Sequence, residues 1–478
     1  MTSIVYMKSK KGDNVYVYVN EKTESGYRRK CIGHLDHVTG EIVPNKEKGD
    51  APSVTTRSYG INMLLRRISD DIGLTESIQI IFKDSWDSIM SLAFYFLCED
   101  SSIMRLGRWM EFNETPRMWP LTIDQVNSIL RGVTHENIDS FFRVWNKRAG
   151  DHRYMVSSIS TEHTVDKRSK NDFEKEFSTE VQVCFGRESG LPIAYRAHPT
   201  RYRTVPDMKA SVEWMEWLEG KEPFFFITGD QTEEMDPGSI AEMEGQYLFE
   251  LPPSDSLFGK LMGGFKIEGN TYDPQIRTGR RELFGKRADV HIYYDPKKAE
   301  REISRFLEVM DRCRFELENQ HYVASHSSLY NKYFLFRGRG DVEFNSEAMM
   351  NHNRPAGYRI LISNEISDPG DAFDLTDRID FFRGMFERMR NDEDVTALKL
   401  YTGSNIASRM FIQFLATILG ERLRRMLSDA GLDETLESTL FQMKCMMRVD
   451  QSNRKKPLMS EMNEHQREIM DRLIFSSN

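Results

Sequence analysis

The densest charge in the sequence is "RTGRRELFGKR" (277–287), where Arg277, Arg280, Arg281, Lys286 and Arg287 stand against one acid, Glu282. Cations at this density can hold the phosphates of a polyanion, or can simply solvate a loop. A second group lies in "DLTDRIDFFRGMFERMRND" (374–392), where Asp380 and Glu387 flank Arg383 at i−3 and i+4 on one helix face. On its own this is an ion-pair ladder, worth about 0.3–0.5 kcal/mol per pair. Asp230 follows the apolar run "PFFFIT" and reads as a solvated turn acid. His321 and His326 lie near Ser325, Ser327 and Ser328, but closeness in sequence supplies no Ser-His-Asp geometry, and both read as surface groups. "FRGRGD" (336–341) has glycines without the strand-to-helix context of a nucleotide loop. The five cysteines form no CxxC pair, which argues against a zinc module or a disulfide scaffold and suits a reducing cytoplasm.

Composition bounds the elements that must position these groups. The 478 residues are 39% hydrophobic and 29% charged, enough for a sizeable core. There is no apolar run of about 18 residues, so no membrane span is expected, and "MTSIVYMKSKKGDN" lacks the apolar centre of a signal peptide. The net charge of −9 is mild evidence against nucleic-acid binding, which nevertheless needs only a local basic face. The 26 methionines read as core filler.

Val15, Val17 and Val19 alternate with Tyr16 and Tyr18, opening a small antiparallel β unit. Residues 60–147 are mostly helical, with Thr122 and Thr134 as caps of successive helices that could form a helix-turn-helix or a plain packing domain. Residues 152–160 form a strand, "EVQVCFG" and "LPIAYRAHP" a hairpin about "RESG", 207–219 an amphipathic helix, and "PFFFIT" a buried strand. Three antiparallel strands followed by a crossover to a parallel fourth open a ribonuclease-H-like fold. The fold class is therefore α/β: a ribonuclease-H-like core with a β-rich insertion, a small N-terminal β unit and additional helices. The expected division is 1–50 (N-terminal β unit), 51–150 (helical segment, a possible DNA contact), 151–244 (first part of the core), 245–370 (β-rich insertion with one helix near 296–319) and 371–478 (a long helix and C-terminal helices).

Five stretches in order carry a resemblance: "YVYVNEKTESGYRRKCIGHLDHVTGEIVP", "LAFYFLCEDSSIMRLGRW", "FGRESGLPIAYRAHP", "AGYRILISNE" and "SRMFIQFLATIL". Together they resemble the DDE transposases of bacterial and archaeal insertion sequences, in the Tn-five-like branch (the insertion-sequence-four superfamily). The resemblance implies DNA transposition, double-stranded DNA as partner, a possible homodimer, and two Mg²⁺ ions held by three carboxylates. Against that pattern, "YMVSSIS" (154–160) puts Met155 where the first acid belongs, and a thioether is a poor magnesium ligand. The second acid position falls on Gly229, with Asp230 beside it, and Gln231 departs from the pattern that follows. Anchoring the third motif on Phe386 places Arg383 at the acid, Arg390 at the Lys, Ile379 at the Arg and Thr376 at the Tyr; a slide of one residue puts Phe382 at the acid instead.

An Arg at a metal-ligand position also adds a cation where a divalent ion should sit. The resemblance therefore implies a DNA-binding protein of this family whose metal site is degenerate, with Mg²⁺ not bound. Two alternatives stand beside it. One is an active transposase using displaced acids (Asp230 as metal ligand, with Asp380 and Glu387). The other is a protein-interaction scaffold that binds no DNA. Arg277, Arg280, Arg281, Lys286, Arg287 and Arg390 are the expected DNA contacts, and the expected location is cytoplasmic, with no membrane partner.

Overall fold

The structure is a computed structural model that describes residues 3–9, 15–23, 26–36, 40–44, 54–99, 102–163, 177–198, 213–214, 216–217, 221–228, 237–242, 245–265, 273–337, 341–390, 398, 403–452, 454 and 456–475. It divides into two compact units, one comprising Met1–Arg57 with Met447–Ser460 and the other Ser58–Met446 with Glu461–Asn478.

In the first unit, β1 (Ser3–Lys8), β2 (Val15–Thr23), β3 (Gly26–Leu35) and β4 (Ile42–Pro44) form an antiparallel meander. The Val/Tyr alternation of β2 gives the strand two unlike faces, and Val17 is fully buried. A second sheet joins β5 (Val54–Ser58), β16 (Met447–Gln451) and β17 (Leu458–Met459).

The second unit is built on an eight-stranded sheet. Its strands are β6 (Arg153–His163), β7 (Phe177–Gly186), β8 (Pro192–His198), β9 (Lys221–Ile227), β10 (Gln246–Glu250), β11 (Gln275–Leu283), β12 (Lys286–Tyr294) and β15 (Tyr358–Ser363). Their order across the sheet is β11-β12-β15-β10-β9-β6-β7-β8. β6, β7 and β8 are mutually antiparallel, β9 runs parallel to β6, and β10 runs parallel to β9. β15, β12 and β11 then extend the sheet antiparallel. Between β10 and β15 lie the helices Ser256–Gly263, Pro296–Glu318, Ser327–Tyr333 and Ser346–Asn353, and a short hairpin of β13 (Phe334–Arg337) and β14 (Asp341–Phe344). This stretch is thus as helical as it is β-structured.

Six helices from Gly60–Asp71 to His135–Ala149 pack with the long helix Gly403–Asp429. Thr122 and Thr134 each close a capping box, with Gln125 and Asn137 as reciprocal partners. In Trp86–Cys98, every residue from Ser88 to Leu97 is buried, as its nearly unbroken apolar sequence requires. No helix among the described residues is long and apolar enough to cross a membrane.

The β7–β8 turn shows what "GRESG" is for. Asp151, just before β6, accepts from the Glu188 and Ser189 N–H groups at 2.9 and 2.8 Å and from the Ser189 hydroxyl at 2.5 Å. Burial pushes its carboxyl above the usual range, against those donors. Gly190 has φ +67°, a conformation that favours glycine, and a Cβ at Gly186 would strike the Asp151 carboxylate.

Candidate functional site

Side chains of directly opposed residues share a face of the sheet. Met155 lies opposite Phe185 on β7 and Phe224 on β9. The face they share is the one crossed by the helix Pro369–Glu387, because the Phe185 ring meets Phe382 of that helix at 5.7 Å. Phe382 in turn stacks on Phe386 at 4.4 Å. Met155 is 1% exposed, and Phe224 and Phe382 are fully buried. The first expected acid position is therefore part of an apolar layer.

The polar part of this face lies elsewhere. Arg359 of β15 donates to Glu250 of β10 at 3.0 Å, to the Thr376 hydroxyl at 3.1 Å and to Asp380 at 2.7 Å. Arg383 approaches Asp380 from the helix at 3.6 Å. The Arg359 side chain is 15% exposed. Burial alone would weaken its charge, but Glu250 and Asp380 outweigh burial and raise its pKa. Asp380 thus pairs first with another strand rather than with its own helix, which corrects the expectation of a purely intrahelical ladder. Glu387 is exposed, Ile379 is fully buried, and Thr376 spends its hydroxyl proton on the Phe373 carbonyl.

Strand register measures how far apart these groups are. Met155 is level with Phe224 and Gln246, whereas Glu250 is four residues further along β10. Four residues of strand span about 13 Å. Continuing the same register sets Glu250 level with Thr228 at the end of β9, so Met155 and the end of β9 do not meet. Gly229, Asp230 and Gln231 lie outside the described residues, as does the Arg390 side chain.

The described groups do not fit a pair of magnesium ions, which need several anionic oxygens converging on one point. Position 155 supplies a sulfur inside an apolar layer. Asp380 is already held by two guanidinium groups, and Glu250 by one. Like charges exclude a divalent cation from the remaining space.

The basic segment 277–287 is a hairpin rather than a loop. β11 and β12 turn through Phe284 and Gly285, both at positive φ (52° and 73°), as a two-residue turn requires. Strand periodicity then splits the cations between the two faces. Arg280 is opposite Asp289 and forms a forked pair with it at 3.1 and 2.8 Å. Arg277 and Lys286 donate to the carbonyls of Gly264 and Ala241 at 2.5 and 2.7 Å. Arg281 and Arg287 are exposed and carry no hydrogen bond or ion pair among the described residues.

His321 is exposed as expected, but His326 is not a surface group. Its side chain is 24% exposed and its Nδ1 bonds Glu316 at 2.8 Å. Arg359 and Glu250 escaped the sequence reading, although each is a lone charge inside an apolar strand ("GYRILIS", "QYLFEL") and their signs are complementary.

No protein-family model matches the chain, and no curated protein does. Among solved structures it is similar to the piggyBac transposase in a synaptic complex with hairpin DNA. That match has 8% sequence identity and a TM-score of 0.30 and covers 80% of this chain and 76% of that one. A likeness of this size sets neither the fold nor the function.

Proposed function

We propose that this chain is a transposase-derived, DNA-binding protein that does not carry out metal-dependent strand cleavage. The sheet order supports a ribonuclease-H-like core. Three antiparallel strands (β6, β7, β8) are followed by β9 and β10 parallel to the first, and the helix Pro369–Glu387 crosses the face where the resemblance expects metal ligands. The observation that carries the catalytic half is Arg359, forked between Glu250 and Asp380 with Arg383 beside them. A guanidinium neutralises the carboxylates that a metal ion would otherwise bridge. The DNA half rests on the exposed Arg281 and Arg287 at the sheet edge, together with the family resemblance of the sequence.

Two measurements on the full chain test the reading. Calorimetry with Mg²⁺ or Mn²⁺ should show no micromolar site, and supercoiled plasmid should stay un-nicked at protein concentrations that saturate it. Mg²⁺-dependent nicking that is lost in Asp380→Asn would overturn the catalytic half. Absence of duplex binding even at low salt would overturn the DNA half.

A further inference from the structure

Cys313 and Glu316 sit one turn apart on the helix Pro296–Glu318 and project from the same face. The turn Ala324–His326 brings His326 back against them. One ligand atom from each of the three side chains (sulfur, carboxylate oxygen and ring nitrogen) lies within 4.8 Å of the others. The surroundings are ordered for such a group. Tyr330 donates to Glu316 Oε2 at 2.5 Å and accepts from the Val323 N–H at 3.1 Å. Cys313 is 0% exposed, and its thiol makes no hydrogen bond among the described residues. Burial and the Glu316 carboxylate push that thiol's pKa up, so a role as a free nucleophile does not suit it.

Sulfur, imidazole nitrogen and carboxylate oxygen together suit zinc and not magnesium. We propose that Cys313, Glu316 and His326 bind a zinc ion, with water as the fourth ligand. The group adjoins a small apolar cluster, Met310, Cys313, Leu317, Tyr330, Tyr333 and Phe334, which is separate from the two larger cores. A core this small gains most from a metal staple, here one that ties the turn before the helix Ser327–Tyr333 to the helix Pro296–Glu318. On binding, the ion replaces the Cys313 thiol proton, which is released to solvent. The Glu316–His326 contact opens from 2.8 Å to roughly 3.3 Å, the separation of two ligands on a tetrahedral ion. Tyr330 continues to donate to the Glu316 carboxylate and orients it. The partly exposed His326 edge gives the ion a way in.

Cobalt(II) is a zinc surrogate with a visible spectrum. The full chain, stripped with a chelator and titrated with Co²⁺, should reach one equivalent with tetrahedral bands and a sulfur-to-metal charge-transfer band, all displaced by zinc. Cys313→Ser should abolish the charge-transfer band. Tyr330→Phe should weaken Co²⁺ binding about 10-fold, and His326→Ala by more than about 100-fold, since even an outer partner is worth 10–100-fold. Substitution in a small core can unfold it, so the wild-type titration stands alone as a test. No charge-transfer band at stoichiometric Co²⁺ in the native chain overturns the proposal. So does a band that survives Cys313→Ser, because the sulfur would then belong to another cysteine.

Discussion

Met155→Asp would write an acid back at the first expected ligand position, and the apolar layer around Met155 predicts that the protein will not tolerate it. Met155 is 1% exposed on a face it shares with Phe185 and Phe224. Loss of the packed side chain costs about 2–5 kcal/mol. A carboxylic acid buried there has its folded pKa raised by about 3–5 units, each unit being about 1.36 kcal/mol. The sign follows from linkage: the unfolded acid ionises near pH 3.9 while the folded one stays neutral, so this penalty is absent below about pH 3.9 and grows as pH rises to the folded pKa. It is about 1.5 kcal/mol at pH 5 and about 4 kcal/mol at pH 7. The total approaches the whole stability of an ordinary domain, about 5–15 kcal/mol.

Urea unfolding followed by tryptophan fluorescence at pH 5 and pH 7 should therefore show a severe loss that deepens with pH. Met155→Asn should share the packing loss without the pH dependence, and Met155→Leu should lose less than about 1.5 kcal/mol. Mg²⁺ should rescue none of them. A Met155→Asp protein within about 1 kcal/mol of wild type at pH 7, or one that gains a micromolar Mg²⁺ site, would refute the placement of Met155 in a closed apolar layer.

Arg359→Met leaves Glu250 and Asp380 without their shared partner and should cost about 3–5 kcal/mol by denaturation; Arg359→Lys should rescue only part of it, because an ammonium lacks the fork. Burial pushes the Glu421 carboxyl up to about 7, against the pull of Arg424 at 3.0 Å and Arg378 at 3.8 Å. Its folded pKa is above its unfolded value, so stability should fall by about 3 kcal/mol as pH rises from about 4.5 to 7, and Glu421→Gln should flatten that part of the profile. If duplex DNA binds along the β11–β12 hairpin, Arg281→Ala with Arg287→Ala should flatten the log–log salt slope by about 2, near 0.9 per phosphate contact. Arg280→Ala should change it less, because Asp289 already offsets that charge; an equal effect of Arg280 would show that the pair opens on DNA.

Local rules made a good part of this protein legible in its residues. The helix near 296–319 appears as Pro296–Glu318, and Thr122 and Thr134 cap the helices they were expected to cap, because capping and apolar periodicity act over one or two turns. The hairpin about "RESG" and the buried "PFFFI" strand appear for the same reason, since side-chain alternation and turn chemistry are local. What the tertiary structure decided is long-range. Asp380 and Arg383 are visible as neighbours, but the shorter bond of Asp380 is to Arg359, 21 residues away. The basic run 277–287 reads as one patch until pairing with β12 sends its cations to opposite faces. Motif spacing cannot say that Met155 lies about 13 Å along the sheet from the end of β9, because parallel register between β6 and β9 is set by packing across 58 intervening residues or more. Cys313 and His326 likewise become neighbours only when a helix and the turn after it fold back on one small core. Sequence carries the one-turn and two-residue periods in itself; which distant charges meet is a property of the register and crossing of whole elements.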